Sequence, residues 1–143
     1  MAVKVVCHEL WHKYKEDLSP QLSELLDNVV EDFRHYKETG EYAPYMGRDY
    51  PYVEPYTALQ ADLMHVHIAV PPVEFREGVP QEDRCCPSGN PEYDAALVYC
   101  RGVLEHDTYC LIALLWPNAH SEARCRQTMA GLARLALAWQ DEH

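Results

Sequence analysis

The sequence predicts an α+β domain in which a small, mainly antiparallel sheet packs with an N-terminal and a C-terminal helix. Apolar residues recur at helical spacing in one segment near each end of the chain, and short apolar runs typical of strands accompany them. Hydrophobic residues make up 48% of the 143 residues and charged residues 24%, as in globular proteins that bury a core. We therefore expect residues 1–143 to form one domain with the element order β-α-loop-β-loop-β-β-α.

The N-terminal part predicts one strand and one long helix. Val3 to Cys7 is a short apolar run typical of a strand. Ser19 and Pro20 then mark a helix start, because serine caps a helix N-terminus and proline is tolerated at the first helical position. Apolar residues follow at helical spacing up to Gly40, a suitable C-cap. After this helix, the tyrosine- and proline-rich residues 41–61 predict an irregular loop.

The middle of the chain predicts a strand over residues 63–70. Because side chains alternate between faces along a strand, His65 and His67 share one face and the apolar residues share the other. We expect the histidines to lie on the less buried face. Residues 71–94 are rich in proline and glycine, so they predict a loop-rich insertion.

The C-terminal part predicts a β-hairpin followed by a helix. Residues 95–103 and 108–116 are apolar runs joined by Leu104-Glu105-His106-Asp107. Pro117 ends the second strand, and Asn118 can cap the final helix. Three of the six cysteines lie within apolar patterns, so we expect them to be buried, reduced thiols: Cys100, Cys110 and Cys125.

The charge distribution restricts the kind of partner. The net charge is −11, and most of the excess lies in residues 1–94, which hold 18 acidic residues against 8 basic ones. Such a chain has no broad basic surface, so any contact with nucleic acid must be local. No segment approaches the roughly 20 apolar residues of a membrane span, and the N-terminus lacks the apolar core of a signal peptide. We expect a cytoplasmic protein without a membrane partner.

Three histidines are the best candidates for chemistry. His65 and His67 place two titratable rings on one strand, and His120 lies in the first turn of the final helix with Arg124 one turn further on. A neutral imidazole beside a guanidinium suits phosphate-ester chemistry, because the ring moves a proton while the guanidinium holds phosphoryl oxygens. The simpler interpretation is a surface histidine and an arginine paired with a nearby acid.

Two other functions fit the same residues. His-x-His on a strand is a familiar metal-binding arrangement, so His65, His67 and His120 could serve a metal-dependent hydrolase, although zinc requires a fourth ligand that the sequence does not identify. Alternatively, the acidic chain is a non-catalytic binding protein. Loss of activity with a chelator would favour the hydrolase, and unaffected histidine variants would favour the binding protein.

Several short motifs, in their order and spacing, resemble the YafO family of bacterial type II toxins. The likeness runs from about residue 25 to the C-terminus. Its motifs are Phe33-Arg34-His35-Tyr36-Lys37, Gly47-Arg48-Asp49, His65-Val66-His67-Ile68, Leu97-Val98-Tyr99-Cys100, and Pro117 followed by His120, Arg124 and Met129. The resemblance implies a RelE-like toxin architecture and a ribosome-associated mRNA interferase, an endoribonuclease that a small antitoxin protein keeps inactive.

Carried over to this chain, the resemblance points to these positions: Arg48, Asp49, His65, His67, Tyr99, His120 and Arg124. The chemistry of these side chains predicts RNA cleavage without a metal or other cofactor. His67 or His65 takes the proton of a ribose 2′-hydroxyl, which attacks the adjacent phosphate and leaves a 2′,3′-cyclic phosphate. His120 or Tyr99 donates a proton to the leaving 5′-oxygen.

The predicted substrate-binding residues are basic side chains that could form one docking face for mRNA: Arg48, Arg101, Arg124 and Arg126. Exposed bases would stack on Tyr99 or on tyrosines of residues 42–56. The partners expected from the resemblance are the cognate antitoxin, the ribosome and mRNA.

Overall fold

The computed structural model describes residues 2–143 and contains one five-stranded sheet. The strands are β1 (Lys4–Cys7), β2 (Met46–Pro51), β3 (Met64–Ile68), β4 (Ala95–Arg101) and β5 (Thr108–Leu115). Their order in the sheet is β1-β5-β4-β3-β2. The β1–β5 pairing is parallel and the other three are antiparallel. The predicted α+β class with a mainly antiparallel sheet is confirmed, and it is consistent with a RelE-like architecture.

Within the described residues, six α-helices accompany the sheet. They are α1 (Glu9–Glu16), α2 (Pro20–Leu25), α3 (Val29–Thr39), α4 (Tyr56–Gln60), α5 (Ala119–Ala123) and α6 (Arg126–Gln140). On one face of the sheet, Phe33 of α3 packs in a core with Leu97 of β4. On the other face, Ala58 of α4 and Met129 of α6 pack in a second core with Val98 of β4. The sheet therefore lies between two helical layers.

The predicted N-terminal helix begins and ends as expected, but it is interrupted. The Ser19 hydroxyl accepts a hydrogen bond from the Leu22 N–H, and Gly40 ends α3 with a φ of 84°, a conformation that favours glycine. Between α2 and α3, residues Leu26–Asn28 form a 3₁₀ turn. In a 3₁₀ turn, side chains three residues apart lie on the same side, so Leu26 and Val29 both face the core.

The predicted C-terminal helix is also two helices, and Cys125 is not buried as predicted. The chain bends after α5, and Cys125 becomes the exposed residue that precedes α6. Its neighbours α5 and α6 bury Ala119 and Met129 without it. A hydrogen bond from Thr128 lowers the pKa of the Cys125 thiol. Cys100 and Cys110 are buried free thiols facing each other across β4 and β5, as the apolar pattern predicts.

Three elements were not predicted: α1, β2 and α4. Helix α1 buries Trp11 fully and Leu10 and Tyr14 in part, but it spans only eight residues, and α4 spans five, so each is too short for its apolar spacing to predict a helix. Strand β2 lies at the sheet edge and has the sequence MGRDYP. It is a strand because it pairs with β3, and strand propensity alone does not reveal such pairing.

The insertion over residues 71–94 is held against β2 and β3. Arg84 accepts a backbone hydrogen bond from Arg48, and the Gln81 side chain donates to the carbonyl of Gly47. An added Cβ at Gly47 would overlap the Arg84 carbonyl and lie 2.8 Å from the Phe75 ring, so this close approach requires glycine. No helix within residues 2–143 has both the length and the apolar character to cross a membrane.

Candidate active site

Strand β3 places His65 and His67 side by side, with their ring centres 5.5 Å apart. This face is the less buried one, as expected, because Val66 and Ile68 on the apolar face are fully buried, but the margin is small. His67 is only 7% exposed, and the ring of Tyr52 stacks on His65 with a centroid distance of 4.0 Å. The face is covered because α5 and the connection between β2 and α4 pack over it, which the pattern of β3 alone could not reveal.

His120 on α5 completes the cluster that the sequence predicts. Its ring centre lies 5.5 Å from that of His67. The three histidines line one small cavity of about 40 Å³, together with Tyr52, Asp94 and small side chains of β4 and α5. The structure therefore brings together three residues that are up to 55 positions apart in the chain.

Asp94 is a site residue that the sequence analysis missed. Its carboxylate is 1% exposed and accepts two hydrogen bonds from His120: one from the backbone N–H at 2.9 Å and one from ring Nδ1 at 2.8 Å. A carboxylate can only accept, so His120 Nδ1 carries the hydrogen and Nε2 has a free lone pair when the ring is neutral. Asp94 ends the proline-rich insertion, 26 residues before its partner, and no motif spacing links the two.

His67 has the opposite arrangement. Its Nδ1 accepts a hydrogen bond of 2.9 Å from the backbone N–H of Cys86. The neutral ring therefore carries its hydrogen on Nε2, which makes Nε2 a donor. Cys86 is itself fixed, because its thiol contacts the carbonyl oxygens of Ile68 and Ala95. The insertion thus determines which nitrogen of His67 can act.

Burial keeps both strand histidines neutral near pH 7. It lowers the pKa of His67 to about 4, an effect to which the neighbouring His65 and His120 add. Burial also lowers the pKa of His65 to about 4, although Asp49 and the carbonyl of Tyr50 partly oppose it. His65 Nδ1 is buried without a hydrogen-bond partner among residues 2–143. Neither ring is a source of protons at neutral pH.

The predicted substrate-binding arginines fall into three places. Arg48 on β2 stacks over the Tyr50 ring at 4.1 Å, and its charge is one of the smaller causes that lower the pKa of the strand histidines. Arg124 and Arg126 line an open groove beside the cavity. Arg101 lies near the hairpin turn, with its guanidinium 5.5 Å from the centre of the Tyr109 ring. None of the four forms an ion pair within residues 2–143.

Tyr99 and Asp49 lie on the opposite face of the sheet from the histidines. The Tyr99 hydroxyl donates to Asp49 at 2.6 Å and accepts from the Lys37 ammonium at 2.8 Å. Burial, with Asp49 as a smaller cause, raises the pKa of Tyr99 far above its usual range. These two residues belong to a buried hydrogen-bond network, and neither of them lines the histidine cavity.

The alternative of a metal-dependent hydrolase requires side chains arranged to bind a metal ion. Within residues 2–143, no group of three or more His, Cys, Asp or Glu side chains is arranged so that it could hold a metal ion. The chemistry that the cavity offers directly is proton transfer at His120 Nε2 and hydrogen-bond donation at His67 Nε2.

Comparison with known proteins points to one family. The family described as "Toxin YafO, type II toxin-antitoxin system" matches residues 34–141, which include every residue of the histidine cavity. The chain is also similar to the "mRNA interferase toxin YafO" of Escherichia coli strain K12. The two are 30% identical over 121 residues, which cover 82% of this chain and 87% of that protein. No solved structure matches the chain significantly.

Proposed function

Since this chain belongs to the YafO toxin family of type II toxin–antitoxin systems, we propose that it is an mRNA interferase. It cleaves translated mRNA on the ribosome by the acid–base chemistry of its own side chains. The observation that carries the proposal is the Asp94–His120 pair, which presents a free imidazole nitrogen next to the N–H donor of His67.

His120 is the general base. Its Nε2 takes the proton of a ribose 2′-hydroxyl, and the 2′-oxygen attacks the adjacent phosphorus. The bond to the 5′-oxygen breaks, a 2′,3′-cyclic phosphate remains, and the 5′-oxygen takes a proton from water. Asp94 holds the ring in the required tautomer and stabilises the imidazolium that forms, after which His120 returns its proton to solvent.

His67 and Arg48 stabilise the phosphate during attack. The Nε2–H of His67 donates to a phosphoryl oxygen, and the guanidinium of Arg48 balances the charge that develops there. The sequence analysis gave the role of base to His67 or His65 and that of acid to His120 or Tyr99. The hydrogen bonds of Asp94 and Cys86 favour the assignment of His120 as base and His67 as donor.

Type II toxins act with a cognate antitoxin, so membership of the family implies such a partner. We propose that the ribosome is the second partner, because a net charge of −11 weakens, without abolishing, the binding of free RNA. The ribosome supplies the mRNA already positioned, and repulsion is screened beyond a Debye length of about 8 Å at physiological ionic strength. Local contacts with unpaired arginines are then sufficient.

The test is tightly repressed expression in a bacterial host, with growth and primer extension on a long-lived mRNA as readouts. Wild type should arrest growth and produce new 5′ ends within translated regions. His120→Ala should cleave at a rate lower by on the order of 10²-fold or more, since it removes the base. His12→Ala, which changes an exposed histidine on α1, is the matched control and should behave like wild type.

The two possible failures have different meanings. If His120→Ala arrests growth and cleaves mRNA as wild type does, His120 is not the base. If wild type neither arrests growth nor cleaves mRNA, the interferase proposal is wrong, and the chain is better described as a non-catalytic member of its family.

A further inference from the structure

A second surface lies next to the histidine cavity. It is an open groove of about 720 Å³, lined by residues 53–57, which lead from β2 into α4, and by Ala123, Arg124 and Arg126. Ala123 also lines the histidine cavity, so the groove and the cavity adjoin. We call this surface the Tyr56 groove.

The groove combines an aromatic platform with unpaired positive charge. Tyr56 is 68% exposed, although it begins a helix whose Ala58 is completely buried. The ring is therefore held out to solvent by a well-packed element. Arg124 and Arg126 are exposed and form no ion pair within residues 2–143, and Glu54 is the acidic side chain among the lining residues.

This combination suits a single-stranded nucleic acid. Bases stack on exposed aromatic rings, and guanidinium groups bind phosphates. The cations are notable because the protein as a whole carries a net charge of −11. An RNA strand whose reacting phosphate lies at the histidine cavity would pass directly into the groove at Ala123.

We propose that the Tyr56 groove binds the RNA strand on one side of the cleaved bond. One base stacks on Tyr56, and the flanking phosphates lie against Arg124 and Arg126. This inference rests on the proposed function, because it takes the histidine cavity as the place of cleavage. Stacking accepts any base, so the groove contributes affinity and position without strong sequence preference.

The experiment measures binding of a fluorescein-labelled, unstructured 12-nucleotide RNA to the full chain carrying His120→Ala, which slows cleavage. Adding Tyr56→Ala should weaken binding on the order of tenfold, whereas Tyr56→Phe should keep it, because phenylalanine retains the stacking face. Leu104→Ala, at a residue 80% exposed on the hairpin turn, is the matched control and should bind like the parent.

A further readout locates the RNA. Replacing Arg124 by glutamine should reduce the salt dependence of log K by about 0.7, the value for one phosphate contact on a single strand.

Equal RNA affinity with tyrosine and alanine at position 56, or no RNA binding by the His120→Ala protein, would overturn the groove proposal. These outcomes can be told apart from a failure of the proposed function, which would appear as the absence of mRNA cleavage by wild type in cells. If an acidic peptide binds in the groove and RNA does not, the groove is a protein-docking surface.

Discussion

At the level of single residues, the hydrogen bond at one ring nitrogen of a histidine decides what the other nitrogen can do. Asp94 accepts from His120 Nδ1, so His120 can accept a proton at Nε2. The backbone N–H of Cys86 donates to His67 Nδ1, so His67 can donate at Nε2. The two rings have the same chemistry in isolation, and their partners give them opposite roles.

Replacement of His67 by glutamine distinguishes a donor from a base. Glutamine carries an amide N–H at a similar reach but cannot take up a proton at neutral pH. If His67 is a donor, we expect His67→Gln to retain cleavage within about tenfold, while His67→Ala loses on the order of 10²-fold, the value typical of a lost transition-state donor. Single-turnover cleavage of ribosome-bound mRNA measures both. Equal inactivity of the two variants would restore His67 as the candidate base.

Asp94→Asn tests the partner of His120 without removing the ring. An amide can donate to Nδ1, which would leave the hydrogen on Nε2 and block proton uptake there. We expect cleavage to fall on the order of 10²-fold or more, with unchanged antitoxin binding as evidence of a folded protein. Wild-type cleavage by Asp94→Asn would show that the carboxylate is structural only.

At the level of elements, a buried network joins α3, β2 and β4 on the face opposite the cavity. Asp49 accepts hydrogen bonds from Tyr36, Lys37 and Tyr99. Its side chain is 11% exposed and that of Lys37 is 16% exposed, so the ion pair is largely removed from water. The Lys37 ammonium also lies 4.8 Å from the centre of the Tyr99 ring. These contacts fix the edge strand that carries Arg48.

Tyr99→Phe separates the structural role from the catalytic one that the sequence suggested. The variant loses two buried hydrogen bonds, so we expect the free energy of unfolding to fall by about 1–3 kcal/mol in urea denaturation. Cleavage per folded molecule should stay at the wild-type level. Tyr109→Phe is the control, because that hydroxyl makes no hydrogen bond within residues 2–143. A loss of cleavage without a loss of stability in Tyr99→Phe would favour the catalytic role.

The helices and strands differ in how well the sequence predicts them. Ser19, Pro20 and Gly40 mark helix ends through local chemistry, and the strands β3, β4 and β5 are apolar enough to be recognised. Strand β2 and helix α4 depend on neighbours far away in the chain. The same difference applies to the site: the three histidines are visible as residue types, whereas Asp94 is identified only by the fold that brings it to His120.

At the level of the whole molecule, two opposing effects connect stability with pH. Acidification reduces the net charge of −11 and with it the self-repulsion of the folded state. The buried histidines act in the other direction. Folding lowers the pKa of His67 to about 4 from an unfolded value of about 6.5, so the unfolded chain binds more protons between these values. The stability that a neutral His67 contributes is present above pH 6.5 and is lost as the pH falls toward 4.

The difference between wild type and His67→Gln isolates the histidine contribution, because both share all other titrating groups. Between pH 7 and pH 5, the free energy of unfolding of wild type should fall by about 2 kcal/mol more than that of His67→Gln, since 1.5 pKa units separate pH 5 from the unfolded pKa. Urea denaturation at the two pH values measures this difference. The control is His12→Gln, whose exposed side chain should follow the wild-type pH dependence. Parallel curves for wild type and His67→Gln would mean that His67 is solvated, and the cavity would then lack the water-excluded environment on which its neutral donor role depends.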